Sequence, residues 1–411
     1  MSEQNSPTPN SQPPGPLQGI RVIECGHMVG AAYAGKLMAD LGAEVIKVEE
    51  PGGDSARQRG PYPGNTPHPE KSGLFLYLNT NKRGITLNLE TSKGQELLQR
   101  LVQDADALVH NYHPTQMSAL GLEYEALARH NPRLVMTSIS PFGQTGPRRE
   151  YTAHDLTMWS AGGLVFLGGA GGRPDLPPLK AFGQQAGFQA GVNAGLASLG
   201  ALYGRLSSGK GQHIDISVQE CLVAIMENNY IAWPYDHTTP SRLGFRLIPQ
   251  DVLQCRDGYI YVLAVEDHQW KNAVELMGSP EWANTELFQD FVSRSVNWDA
   301  LKALLEDWLQ DKSVQEVYHG AQKRRVPFAP VSTMGDLLKS EHLNARGFFA
   351  EIAHPEGGSL RYPGAPYKFS ASPWALRSPA PCLGQHNEEI YGGQLGLSPE
   401  ELKSLKETNV I

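Results

Sequence analysis

Over the first two hundred residues, short apolar blocks alternate with segments whose apolar positions recur every three or four residues. The blocks at 20–25, 44–48, 84–89, 107–110 and 133–138 read as strands, being short, rich in Val, Ile or Leu and bounded by polar or glycine-bearing junctions. Helices are predicted at 32–41, 93–105 and 124–130. Gly42 stops the first, and Thr91 or Ser92 caps the second. This rhythm predicts an α/β fold with a largely parallel sheet covered by helices. Ligands of such sheets bind beyond the carboxyl ends of the strands, so the loops after Cys25, Val48, His110 and Ile139 are the candidate walls of a site.

The pattern then changes. A glycine- and proline-rich stretch from Gly168 to Pro178 leads into a helix of small residues at 186–205. The turn Ser208-Gly209-Lys210-Gly211-Gln212 ends that helix, and 213–216 reads as a strand. From about residue 240 to 330 the chain looks like a separate small domain, with a strand at 259–265, a helix at 269–277 and helical segments to 322. A short helix is expected at 399–406.

Composition narrows the class. The 411 residues are 40% hydrophobic and 19% charged, enough for a large core and two or three domains. A formal net charge of −8 argues against a nucleic-acid partner, whose phosphates select a basic surface. The four cysteines are scattered without a CxxC pair, which speaks against a disulfide framework or a bound metal and for a reducing, cytoplasmic setting. No apolar run approaches the about 18 residues of a membrane span. Residues 1–16 are polar and proline-rich, and are expected to be a disordered tail rather than a signal peptide.

Single motifs carry little chemistry. The glycines at 168–172 lack the Lys-Ser/Thr of a phosphate loop and read as a flap. Gly52-Gly53-Asp54 reads as a chain-reversing turn with a minor claim to ligand contact. Asp155 reads as a carboxylate at a helix start, His154 as structural, and Glu266 as surface charge. No Ser/His/Asp or HExxH pattern exists. From the residues alone the chain is an α/β enzyme with a glycine-flanked cleft.

Several segments in order carry a resemblance. They are Leu17-Gln18-Gly19-Ile20-Arg21-Val22-Ile23-Glu24, the run from Ala39 to Glu49 with Gly53-Asp54, and Asn79-Thr80-Asn81-Lys82-Arg83-Gly84. Asn131-Pro132-Arg133-Leu134-Val135, Gly143-Gln144-Thr145-Gly146-Pro147, Ser208 to Gln212, Gly364-Ala365-Pro366 and Leu383-Gly384-Gln385-His386 follow. Together they resemble the class III (CaiB/BaiF-like) CoA transferases, a family that includes the α-methylacyl-CoA racemases. The resemblance implies a large Rossmann-like domain from 17–230 and 331–411, a small domain from 231–330, and two chains interlocked like linked rings. It implies acyl-CoA and an organic acid as substrates, no permanently bound cofactor, and as partner a second copy or a homologous subunit. It places His27, Met28, Leu87, Asn111 and Tyr112 along bound CoA. Basic residues that some members aim at the nucleotide phosphates are replaced by Glu50, Glu90 and Ala119, leaving Arg57, Lys82 or Arg83 as substitutes.

In these transferases an aspartate attacks the thioester and forms an acyl anhydride. In the racemases an aspartate and a histidine exchange an α-proton. Here the aspartate position is Gly187 when counted back from Ser208, and Gln184 when counted forward from Pro177. No carboxylate lies between Asp175 and Asp215. His154 matches the racemase histidine and Glu266 the glutamate that orients it. Three readings follow: the aspartate-free subunit of a two-chain transferase, a one-base acyl-CoA isomerase or lyase using His154 and Glu266, and a non-catalytic CoA-binding protein.

Overall fold

Residues Arg21–Cys25 (β1), Glu44–Glu49 (β2), Lys82–Thr86 (β3), Ala107–His110 (β4), Val135–Ser140 (β5) and Gln212–Ser217 (β6) form one parallel sheet ordered β3-β2-β1-β4-β5-β6. The computed structural model describes residues 14–169, 175–226, 229–242 and 249–411. The strand order reverses between β1 and β4, so their carboxyl ends part and leave a crevice there.

The connecting helices are α1 (Gly30–Asp40), α2 (Gly73–Leu78), α3 (Ser92–Gln103), α4 (Pro114–Ala119), α5 (Tyr124–His130), α6 (Asp155–Ala161), α7 (Leu164–Leu167) and α8 (Gln185–Ser208). Alternation along the strands divides the core. Val22, Val45, Val109 and Val135 meet Ala31, Ala34 and Met38 of α1 and Ala190 and Ala194 of α8. Ile23, Ile46, Ile85, Leu108 and Met136 meet Leu97, Leu98 and Leu101 of α3 and Leu127 of α5. The same second core takes in Tyr391, Leu402, Leu405 and Ile411 from the far end of the chain. Tyr391 Oη donates to Thr86 O at 2.8 Å, and Asn88 N to Val410 O at 2.8 Å.

The small residues of α8 let it lie close against α1. A Cβ at Gly191 would stand 2.8 Å from Gly30 O and 2.9 Å from Tyr33 Cβ.

The chain divides into two compact units. The first combines the described residues of 1–169, 178–239 and 347–411. The second takes those of 170–177 and 240–346. It holds an antiparallel sheet of Gln250–Cys255 (β7), Gly258–Leu263 (β8) and Ala329–Pro330 (β9). Ile260, Trp270, Leu301, Leu305 and Val317 pack as its core. The sequence pattern ends this middle segment at 330. Helices Met334–Lys339 and Glu341–Ala345 extend the compact unit further.

Two strands are displaced from their expected places. β3 lies two residues ahead of 84–89, because beyond Leu87 the chain leaves the sheet and Asn88 pairs with Val410 instead. β5 begins at Val135 rather than 133, because Leu134 N closes a turn on Asn131 O at 3.0 Å. The hairpin Phe349–His354 (β10) with Gly358–Pro363 (β11) is not expected from the pattern. Of the proposed flap, 170–172 lie outside the described residues, as do 1–13 of the tail. All four cysteines are unpaired. Among the described residues no helix is long and apolar enough to cross a membrane.

Candidate functional site

The crevice between β1 and β4 is built around Asn111, the first residue after β4. Its Oδ1 accepts from His27 N at 2.9 Å, and its Nδ2 donates to His27 O at 2.7 Å. One side-chain amide thus replaces the strand pairing that the two diverging strands lose. Gly26 permits the approach: its φ is +123°, and a Cβ there would collide with Asn111 Oδ1. The next residue but one, Met28, sits in the left-handed region at φ 60°, held by its N–H to Asp54 Oδ1 at 2.8 Å. Asp54 is therefore an internal brace and not a ligand contact. It also accepts from Ala56 N at 2.8 Å and pairs with Lys47 at 2.8 Å.

Lys47 lies at the centre of a buried charge cluster beneath the crevice. Its ammonium meets Glu24 at 3.0 Å, and Glu24 also meets Lys82 at 2.6 Å. Arg57 is equally committed, with Glu49 at 2.7 Å and Glu70 at 2.7 Å. Neither Lys82 nor Arg57 is left to hold a phosphate. Arg83, the third substitute, is half-buried and shared between Glu44 and Glu389. Burial pulls the Lys82 ammonium down to about 8 against the attraction of Glu24.

A cavity of about 790 Å³ opens at this edge of the sheet. Met28, Asn111, Ser140, His154, Asp155, Gln184 and Gly187 line it, with Arg59 and Lys180. It thus gathers two of the expected CoA contacts, the expected histidine and both candidate aspartate positions. His154 is the exposed N-cap residue of α6. Gln184 is the N-cap of α8 and makes no capping bond with its side chain. Gly187 lies in the first turn of α8, and a Cβ there would stand 2.9 Å from Val29 Cβ. Asp155 ties the two helix starts together: it accepts from Ala186 N at 2.9 Å and from Lys180 Nζ at 2.7 Å.

The other expected contacts lie apart. His27 is half-buried, with Nε2 3.4 Å from Glu50 and its ring edge-on to Tyr112 at 5.8 Å. Tyr112, Glu50 and Glu90 line a smaller cavity of about 230 Å³. Leu87 is 1% exposed, within the core. Glu266 belongs to the second unit, as N-cap of the helix Asp267–Leu276.

Three features are not found by reading motifs. Arg59 follows the Gly53-Asp54 turn and faces the large cavity. Ser140 ends β5, and the strand-end rule would have flagged it. The third is a relay on the other face of the sheet. Ser138 Oγ lies 2.6 Å from His110 Nε2 and 2.8 Å from His213 Nε2. His110 Nδ1 accepts from Tyr112 N, so its Nε2 donates to Ser138, which in turn donates to His213. Glu70, His354 and Cys382 also bring ligand-type atoms within 4.8 Å of one another. Within that set Glu70 also holds Arg57, and His354 Nδ1 accepts from Gly357 N at 2.9 Å.

Comparison with known proteins gives a consistent answer. A family model described as CoA-transferase family III matches residues 17–387. Acetyl-CoA:oxalate CoA-transferase of Acetobacter aceti is 34% identical over 370 residues, 88% of this chain and 91% of the relative. Succinyl-CoA:(R)-benzylsuccinate CoA-transferase subunit BbsE of Thauera aromatica is 34% identical over 382 residues, 90% of this chain and 92% of the relative. The crystal structure of a CaiB/BaiF family protein from Brucella suis superposes with a TM-score of 0.84 at 31% identity, covering 93% of this chain and all of that one.

Proposed function

The chain belongs to CoA-transferase family III, and on that footing we propose that it is the aspartate-free subunit of a two-chain enzyme moving CoA from an acyl-CoA to a carboxylic acid. The observation that carries this is position 187. The anhydride route requires a carboxylate oxygen to attack the thioester carbon and release the CoA thiolate. Glycine offers no such oxygen, Gln184 is an amide, and no Asp or Glu occurs between 175 and 215. Gly187 is also packed against Val29, so the space for a side chain is filled. A homologous chain would supply the aspartate. One relative is itself named as a subunit.

In this reading two chains interlock as linked rings, each with a large domain from its two ends and a small one from its middle. CoA is a substrate and not a resident cofactor. Its thioester end lies in the cavity of Met28, Asn111, His154 and Gly187, and its nucleotide end runs past His27 and Tyr112, while Leu87 stays within the core. Glu50 and Glu90 face that end, while Arg57 and Lys82 are locked in internal pairs. This chain's own grip on the phosphates is therefore weak. Unpaired cysteines fit work in the cytoplasm.

A second reading, proton exchange α to a thioester by His154 with Glu266 orienting it, draws support from His154 facing the same cavity as Gly187. Purification from the native host separates the two. A co-purifying homologous chain that loses all transfer on Asp→Ala is expected. Full transferase turnover by a dimer of this chain alone would end the two-chain reading.

A further inference from the structure

Glu70, His354 and Cys382 come from three separate parts of the chain, which is why no ligand spacing marks them in the sequence. Glu70 precedes α2, His354 ends β10, and Cys382 stands just ahead of the turn at Leu383-Gly384-Gln385-His386. All three belong to the first compact unit, and their ligand-type atoms lie within 4.8 Å of one another. His354 is 3% exposed, and its Nε2 has no hydrogen-bond partner. A buried polar atom left unpaired is unusual, because its desolvation goes uncompensated. The same ring is held at Nδ1 by Glu356 N at 3.2 Å and Gly357 N at 2.9 Å. Glu70 is anchored as well: Oε2 accepts from Arg57 at 2.7 Å and Oε1 from Leu383 N at 3.1 Å. Each carboxylate oxygen has a further lone pair, so these bonds leave Glu70 able to bind a cation. The surrounding charge favours one. Glu49 and Glu70 share the single guanidinium of Arg57, and the charges of Glu70 and Glu356 both bear on the Cys382 sulfur.

We infer that Glu70, His354 and Cys382 form a binding site for one divalent transition-metal ion, and that Zn²⁺ is the ion the donor set fits. A sulfur, an imidazole nitrogen and a carboxylate oxygen together suit zinc, whereas Mg²⁺ and Ca²⁺ take oxygen ligands. Three protein ligands leave the fourth tetrahedral position to water. Because Nδ1 accepts from two backbone N–H groups, Nε2 carries the ring proton in the metal-free chain. Binding releases that proton and the thiol proton of Cys382 to solvent, and the charge of the ion replaces theirs. The ion ties the β10–β11 hairpin and the 383–386 turn to the loop before α2. This closure of the large unit is independent of any CoA chemistry.

Co²⁺ and Zn²⁺, added to the metal-free full-length chain, are the probes. Co²⁺ bound by a thiolate shows a sulfur-to-metal absorption band in the near ultraviolet that imidazole and carboxylate ligands do not produce. That band is expected, and Zn²⁺ should bleach it. Calorimetry should give one Zn²⁺ site per chain, and the melting temperature should rise with added Zn²⁺, as for any ligand of the folded state. Cys382→Ser is expected to abolish the Co²⁺ band and weaken Zn²⁺ by more than about 100-fold, and His354→Gln to weaken it by at least about 10-fold. Zinc binding that survives both substitutions would place the ion on surface histidines and overturn the inference. A Co²⁺ spectrum of the unsubstituted chain without the thiolate band would overturn it too, and that result does not depend on any variant folding.

Discussion

The Cβ that any residue other than glycine would bring to position 187 falls 2.9 Å from Cβ of Val29, a side chain 2% exposed between α1 and α8. Replacing the glycine by an aspartate therefore does not simply supply a nucleophile. Gly187→Asp is expected to destabilise the fold by about 1–3 kcal/mol through overpacking and to give no acyl adduct. Gly187→Asp with Val29→Gly, which removes that Cβ, should recover part of the stability. Thermal unfolding and intact-protein mass spectrometry after incubation with succinyl-CoA check both. An adduct on the introduced carboxylate in the single variant would mean that the helix yields and that space is not the obstacle.

The amide of Asn111 carries both backbone groups of His27. Asn111→Ala leaves a donor and an acceptor unpaired, a loss of about 1–3 kcal/mol. Asn111→Asp keeps the acceptor for His27 N but sets an oxygen against His27 O, so it should not rescue the alanine variant. Urea unfolding measures the loss. Weaker CoA binding by calorimetry should accompany it, since the loop after β1 is no longer aligned.

Burial acts to raise the carboxyl groups of Glu24 and Asp54, but Lys82 and Lys47 around the first, and Lys47 with two backbone N–H groups around the second, hold both below the usual carboxylate range. Carboxyls depressed in the folded state stabilise it above their unfolded values and lose that contribution as the pH falls through the folded ones. Stability should accordingly decline below about pH 4. Lys47→Met removes the shared cation and should cost about 3–5 kcal/mol at neutral pH, by leaving buried carboxylates uncompensated. A change under about 1 kcal/mol in denaturant titration would show that the cluster is not the brace described here.

His110 is fully buried, and burial together with the charge of His213 pulls its imidazole down to about 3. The unfolded chain takes up its proton near pH 6.5 while the folded chain does not, so stability should fall as the pH drops from about 6.5 toward 3. One proton contributes at most about 1.4 kcal/mol per pH unit to that slope. His110→Gln should flatten it. Melting temperatures of both proteins across this range supply the measurement, and parallel curves would place the titrating group elsewhere.

Local pattern locates the sheet well where strand and core coincide. β4 at Ala107–His110 and α5 at Tyr124–His130 match their expected bounds, because apolar periodicity there reports packing directly. It fails at Leu87 and Leu89, which are apolar because they face the second core after β3 has ended. Of the residues that line the large cavity, Met28, Asn111, His154 and Gly187 are reached through strand-end position and ordered motifs. Arg57 and Lys82 look like free cations because a linear sequence does not reveal which carboxylates meet them across the fold. Arg59 is missed for the converse reason: what distinguishes it is the partner it lacks, visible only once its neighbours are placed.

The second core of the large unit is completed by residues made long after its strands. Ile85, Leu97 and Leu108 await Tyr391, Leu402 and Ile411, while the whole of 240–346 is made in between. At a synthesis rate of about 5–20 residues per second, that apolar face stays uncovered for many seconds after its strands have emerged. During this interval the nascent chain exposes the kind of surface that chaperones hold and that a partner being made nearby can meet. Encoding two homologous chains on one message would bring such unfinished surfaces together. Truncating even the last helix, Pro399–Glu407, should leave a product that aggregates instead of a shorter working enzyme.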